Sequence, residues 1–397
     1  MALEMTAGIA KLVVAATCAT LTTLAWAARK AVCPTHRPRY DIIPLAINDD
    51  EIELRATKRT LAPGTFGLKI AGQDDPAVLG PVLATTNGAV RRRLLYRPMA
   101  LSLQSRCRWS GIVAVTPSSS FLETEVPTGL GPAPAWIVDK GNDLWAIHVH
   151  GQGSDRRQTL RGVESASALG LTSLIVSYRN DGEGPRSRDG RSHLGESEWH
   201  DLEDALKVVK ERGGNSCIIF GWSLGATIAL NALHRSELAN MIKGVVMVSP
   251  VLNWEAAFRA NAHHQGWPRF LGSVITSLIS STQLCRLAGL HQPLDIRRAD
   301  ANRFGRRPDV PVLILHNKND WSVPIEDSVR FAAAHKGQVK LVGFECSGHT
   351  QEWNADPVGW DLAVRCWFGK FFQPDRAEAQ AATSAGELSD GVGNGWQ

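Results

Sequence analysis

Residues 119–373 predict an α/β fold, a doubly wound and mostly parallel sheet, and two patterns carry that expectation. Short apolar runs alternate with longer helical segments, the order that builds a sheet with helices on its faces. Most of the runs are also continuously apolar, as strands buried on both faces require.

The elements follow in order. Phe121 to Val126 and Pro134 to Val138 read as two strands joined by a Gly/Pro turn. Further strands are expected at Leu144 to Val149, Leu171 to Tyr178, Ser216 to Phe220, Gly244 to Val248, Val310 to Leu315 and Val339 to Phe344. Helices are expected at Glu198 to Glu211, Ala226 to Leu233, Val329 to His335 and Pro357 to Phe371. The stretch 253–308 is too long for one crossover helix and carries Trp254, Phe258, Trp267, Phe270 and Leu271, so it reads as a helical cap insertion over the carboxyl ends of the strands. Residues 47–118 hold short apolar runs broken by Gly, Pro, Asn and Asp, which predicts a small β-rich accessory region. Residues 33–46 read as a linker, and residues 374–397, small and polar, as a disordered tail.

Residues 1–32 contain the membrane signal. From Leu12 to Ala28 no residue is charged, and a run of about 17 residues is at the lower limit for a spanning helix. Ala25-Trp26-Ala27 fits the small-x-small pattern of signal cleavage, which would make the protein secreted. Arg29, Lys30, Arg37 and Arg39 follow the run and only Lys11 precedes it within the adjoining residues, which favours a single-pass anchor with the main domain in the cytoplasm.

Composition narrows the class. With 397 residues, 44% hydrophobic and 21% charged, the chain has the make-up of a globular protein with a large core. A net charge of +4 is too small to argue for nucleic acid, and the one tight basic run, Arg91-Arg92-Arg93, reads as a solvated strand end. Seven cysteines lack both CxxC spacing and the density of a disulfide scaffold; a single Cys33–Cys107 bridge is the one pairing left open. No metal cluster, dinucleotide glycine fingerprint or phosphate loop suggests a cofactor.

The chemistry centres on Gly221-Trp222-Ser223-Leu224-Gly225, set between a strand and a helix. A serine on so sharp a strand–helix turn is exposed at the top of the sheet with a helix N-terminus aimed at it. It needs a base, and the base needs an acid to fix its tautomer. Asp320 follows the strand ending at Leu315, and His349 follows the strand ending at Phe344, so nucleophile, acid and base occur in the required order. Asp361 and Glu326 are fallback acids and His316 a fallback base. Two backbone N–H groups must receive an oxyanion: Leu224, directly after the serine, and Gln152 in the loop His150-Gly151-Gln152-Gly153. His150 reads as a brace for that loop. Trp222 and Trp321, with Trp353, are candidates for an apolar wall around an acyl chain. Arg179 is a candidate partner for a substrate carboxylate, with a structural ion pair as its plainer role.

These residues resemble the α/β-hydrolase superfamily over residues 121–372. The likeness rests on His150-Gly151, Tyr178-Arg179, Gly221 to Gly225, Asp320 with Val323-Pro324, and Gly348-His349. It is nearest to bacterial hydrolases of the dienelactone hydrolase and prolyl-oligopeptidase-like branches, and it implies the triad Ser223, Asp320 and His349. Ala226 departs from the glycine that many members, peptidases especially, carry there. The expected function is hydrolysis of a small-molecule ester or thioester through an acyl-enzyme. A peptidase, an acyltransferase and a non-catalytic membrane-anchored module are the alternatives; substrate and oligomeric state are not specified by these motifs.

Overall fold

The computed structural model describes residues 22–34, 39–296 and 309–372. The expected tail, most of the apolar N-terminal run and the end of the cap insertion lie outside the described residues.

Two sheets organise the chain. The first is antiparallel throughout and contains β1 (Ala46–Ile47), β2 (Glu51–Arg55), β3 (Phe66–Ile70), β4 (Ala77–Thr86), β5 (Ala89–Tyr96) and β6 (Cys107–Ser110), in the order β1-β2-β5-β4-β3-β6. Its core includes Ile52, Leu54, Phe66, Leu68, Leu79, Val90, Leu94 and Trp109. The strand period of two decides the fate of the arginine run: Arg91 and Arg93 face solvent while Arg92 is turned inward and fully buried, which corrects its reading as a solvated end. Arg92 donates to the carbonyls of Thr60, Ala62, Gly64 and Gly80 and lies over the Phe66 and Trp109 rings. Cys107 is a buried free thiol, so the Cys33–Cys107 bridge does not form.

The second sheet has eight strands in the order β14-β13-β12-β11-β9-β10-β8-β7. They are β7 (Leu122–Thr128), β8 (Gly131–Val138), β9 (Leu144–Val149), β10 (Thr172–Val176), β11 (Ser216–Trp222), β12 (Ile242–Val248), β13 (Val312–Asn317) and β14 (Val339–Phe344). From β10 to β14 neighbouring strands are parallel; the β7–β8 hairpin joins antiparallel through β8. Helices cover both faces, and the apolar clusters on the two faces account for the continuous runs of the central strands. The chain therefore has the α/β-hydrolase fold, a doubly wound sheet preceded by a β-rich region.

The helices are α1 (22–31), α2 (Leu160–Ala168), α3 (Trp199–Glu211), α4 (Leu224–Arg235), α5 (Trp254–His264), α6 (Phe270–Ser280), α7 (Ile325–Ala334), α8 (Glu352–Ala355) and α9 (Pro357–Phe372). Helix α2 has no counterpart in the sequence expectation, since small and polar residues dilute its apolar face. The start of α7 precedes its expected position by four residues, because the turn at Pro324 opens directly into it.

Helix α1 contains the last residues of the apolar run. Ala28 and Val32 are buried in the main core, Arg29 donates to Leu287 O, and Lys30 donates to Gln265. Leu24, Ala27, Ala28 and Val32 thus pack against the main core, and among the described residues no helix is long and apolar enough to cross a membrane.

The two sheets meet at α8. Asn354 donates to Thr65 O and Gly111 O, and its own carbonyl receives the Thr65 N–H. Gly64, at φ +105°, comes so close to this carbonyl that a Cβ would lie 2.0 Å from it.

Candidate active site

The site forms where β11, β13 and β14 end on the same edge of the sheet. Strand β11 runs directly into α4, and Ser223 occupies the turn with φ 54° and ψ −110°. Such a conformation costs on the order of 1–3 kcal/mol in a non-glycine residue, and the surrounding packing must hold it. The flanking glycines are required by close backbone approach. A Cβ on Gly221 would lie 2.6 Å from Ala226 N, and one on Gly225 would lie 2.2 Å from Val149 O.

His349 Nε2 is 2.8 Å from Ser223 Oγ, and its Nδ1 is 2.6 Å from Asp320 Oδ2. A carboxylate can only accept, so Nδ1 carries the proton and Nε2 is left to accept from the serine hydroxyl. Asp320 also receives the N–H groups of Ser322 and Val323, which fix its rotamer. Burial would raise its pKa, yet the His349 charge, the adjacent His316 and His349 rings and the Val323 N–H hold the carboxyl well below the usual carboxylate range. For His349, burial opposes the imidazolium, but the charge and hydrogen bond of Asp320 raise its pKa above 6.5.

A further layer was not visible in the sequence. Ser249 Oγ lies 3.0 Å from Asp320 Oδ2 and is also hydrogen-bonded to Glu352, which is fully buried and accepts the Asn317 N–H. Ser249 directly follows β12 with φ 45°, and Glu352 comes three residues after His349.

The loop after β9 lies against Ser223. Gly151 N donates to Gln158 Oε1, and a Cβ on Gly151 would sit 3.1 Å from Ser223 Cβ. The N–H groups of Gln152 and Leu224 have no hydrogen-bond partner among the described residues. The Gln152 side chain is turned away from them, donating to the Ala31 and Cys33 carbonyls behind α1. His150 braces the loop as expected: it is fully buried, pairs with Asp181 at 2.9 Å, and its Nδ1 faces Gly151 O.

Ser223 and His349 open into a cavity of about 580 Å³. Its walls come from α1, α5 and α6, including Trp26, Trp254, Phe258, Trp267, Leu271 and Ile275. The tryptophans expected from the sequence do not form it. Trp222 alternates to the opposite face of β11, where it is fully buried, stacks with Trp360 and lies under the Arg161 guanidinium. Trp321 is turned outward and stacks on His264. Arg179 is also not a ligand for substrate, because Asp201 holds it through Nε at 2.8 Å and Nη2 at 2.6 Å. The fallback base His316 is fully buried between Ser328 and the Val323 carbonyl, and the fallback acid Asp361 pairs with Arg365 on α9. Another histidine, His148, is held neutral in the sheet, its pKa lowered to about 3 by burial.

Comparison with known proteins places this architecture. No curated protein matches the sequence. Among solved structures, the Pyrococcus furiosus esterase Pf2001 is similar at 18% identity and a TM-score of 0.50, covering 64% of this chain and 94% of that one. An esterase from Rhodococcus sp. is similar at 16% identity and a TM-score of 0.44, covering 64% of this chain and 99% of that one. Residues 45–110 match a domain of unknown function (DUF8805), which coincides with the antiparallel sheet. Residues 146–359, more than half of the sequence, match the family model described as "Alpha/beta hydrolase family", and they contain Ser223, Asp320 and His349. The chain belongs to the alpha/beta hydrolase family.

Proposed function

We propose that the protein is a serine hydrolase that cleaves a carboxylic ester or thioester through an acyl-enzyme. The observation that carries this is the hydrogen-bonded row Ser223–His349–Asp320 at the mouth of a mainly apolar cavity. His349 Nε2 takes the proton of Ser223 Oγ as the oxygen attacks the acyl carbon. Asp320 keeps the imidazole in the correct tautomer and stabilises the imidazolium that forms. The N–H groups of Gln152 and Leu224 receive the oxyanion, a role in which one donor is typically worth about 100- to 1000-fold in rate. His349 then returns its proton to the leaving oxygen or sulfur, and water repeats the sequence to release the acid. The apolar walls supplied by α1, α5 and α6 suit an acyl chain, and the esterases of similar fold are compatible with this reading.

Labelling with a fluorophosphonate tests it. Ser223 is expected to be modified irreversibly, and Ser223→Ala to remain unlabelled. A folded protein that does not label, or a Ser223→Ala variant that labels equally, would overturn the assignment. Turnover of p-nitrophenyl esters against matching peptide anilides separates ester from amide cleavage, with the esters expected to be preferred.

A further inference from the structure

A second cavity, of about 530 Å³, lies between the antiparallel sheet and the catalytic domain and reaches the site from the other side. It shares Gln152 and His349 with the first cavity, so the two meet where the acyl carbon must sit. Its character is different. Lys69, Arg108 and Arg157 line it, together with Asp155, Asp181 and Glu183.

The carboxylates in this cleft are already matched. Asp155 holds Arg157 through Nε and Nη2, Asp181 pairs with His150, and Glu183 pairs with Arg156. The side chains of Lys69 and Arg108, in contrast, have no hydrogen bond or ion pair among the described residues, and Arg108 Nε is buried without a partner. The two are also directly opposite each other on β3 and β6. Like charges at facing positions of an antiparallel pair destabilise the sheet. Burial and the nearby Arg157 and Arg108 charges accordingly lower the Lys69 pKa. Two cations without a hydrogen bond or ion pair, facing each other in the wall of the cleft that His349 also lines, make an anion site in all but its anion.

We propose that this cleft is the leaving-group site and that Lys69 and Arg108 bind an anionic oxygen group, phosphate or carboxylate, on the alcohol or thiol part of the substrate. The inference rests on the serine-hydrolase reading. In the acylation step, the bond from Ser223 Oγ to the acyl carbon forms as the bond to the leaving oxygen or sulfur breaks. The serine proton passes through His349 Nε2 to that leaving atom, which lies on the side of His349 that opens into the cleft. The antiparallel sheet thereby acquires a role: it supplies both cations. The substrate class becomes an ester or thioester with an apolar acyl group and an anionic leaving group.

Three octanoyl esters test this, with 4-hydroxybenzoate, its methyl ester and 4-hydroxyphenyl phosphate as leaving groups. After correction for uncatalysed hydrolysis, kcat/KM for at least one anionic ester is expected to exceed that for the neutral ester by about 10-fold or more. The better of the two identifies the group as carboxylate or phosphate. In K69Q/R108Q the anionic-to-neutral ratio is expected to fall to near unity, while Tm is unchanged or raised because facing like charges are removed. Equal ratios in the wild type and K69Q/R108Q would overturn the proposal while leaving the hydrolase reading intact. Calorimetric binding of phenyl phosphate and benzoate to Ser223→Ala measures the site without turnover. Binding weakened about 10-fold by K69Q/R108Q supports it, and no binding of either probe overturns it.

Discussion

Ser249 Oγ stands 3.0 Å from Asp320 Oδ2 and on its other side meets Glu352 Oε1, yet a hydroxyl has one proton to donate. With that proton given to Asp320, Glu352 must be the donor to Ser249, and so must be protonated. Burial, the largest influence on Glu352, raises its pKa in that direction against the lowering effect of the Ser249 hydrogen bond. Glu352→Gln keeps the neutral shape and one of the two contacts that Oε1 makes, to Ser249 Oγ and to the Asn317 N–H. It is expected to retain activity within a few-fold of wild type. Glu352→Ala leaves buried groups unpaired, at about 1–3 kcal/mol each, and is expected to lower both Tm and kcat. Equal damage from the two variants, measured by thermal melts and ester turnover, would count against a protonated Glu352.

The pH profile follows from the base. His349 must be neutral to accept the Ser223 proton, and Asp320 raises its pKa despite burial. Activity is expected to rise with pH through a midpoint above 6.5, the ordinary histidine value. Asp320→Asn removes the charge that produces the shift and disturbs the tautomer. Its expected loss is about 10⁴-fold in kcat, with the remaining activity titrating at lower pH. A stopped-flow or initial-rate profile of both proteins checks the sign.

Gly225 has no space for a side chain. A methyl group there would stand only 2.2 Å from Val149 O and 2.9 Å from His150 O, so Gly225→Ala must push α4 off β9. The displacement carries Leu224 away from Gln152. Stability is expected to fall by about 1–3 kcal/mol, and ester turnover by more than that loss of folded protein can explain. Circular dichroism melts beside kcat at a temperature where the variant is folded separate the two effects.

The pair His150–Asp181 is a buried ion pair, with side-chain exposures of 0% and 1%. Both His150 nitrogens face acceptors, Asp181 Oδ2 and Gly151 O, so the ring is doubly protonated. Burial opposes that charge, but Asp181 overcomes it and raises the His150 pKa, while Asp181 itself is lowered by His150 against its own burial. The histidine contribution to stability is full below 6.5, its ordinary pKa, and is lost as pH rises through the raised value. The aspartate contribution is present above 3.8 and is lost as pH falls through the lowered value. Asp181→Asn is expected to cost about 3–5 kcal/mol near pH 6 by denaturant titration, because it strands the imidazolium.

Legibility in the sequence divided along physical lines. Strands β9 to β13 were readable because burial on both faces leaves a continuous apolar signature, and β14, a half-buried edge strand, by its Val, Leu and Phe residues; the site residues could be placed because each follows one of these strands. Ser249 and Glu352 were not readable: their role depends on the ends of β12 and α8 meeting beneath Asp320, and neither has a local signature. Trp222 was misplaced because its neighbour Ser223 faces the cavity, while the side chain one residue earlier points to the opposite face of the sheet. Arg92 was misplaced because charge outweighed the period-two alternation that turns it inward. Arg179 was held open between two roles, and the bond to Asp201, distant in sequence, decides for the structural one.

Helix α1 contributes Thr23, Leu24, Trp26 and Ala27 to the wall of the larger cavity. The bonds that Gln152 makes to the Ala31 and Cys33 carbonyls join the same segment to the loop beside the nucleophile. Trimming the chain at Ala27, the natural choice for anyone discarding an apolar leader before expression, would therefore unroof the cavity while leaving every catalytic side chain in place. On the proposed function, a chain so shortened is expected to differ in acyl-chain selectivity from one that retains residues 22–34.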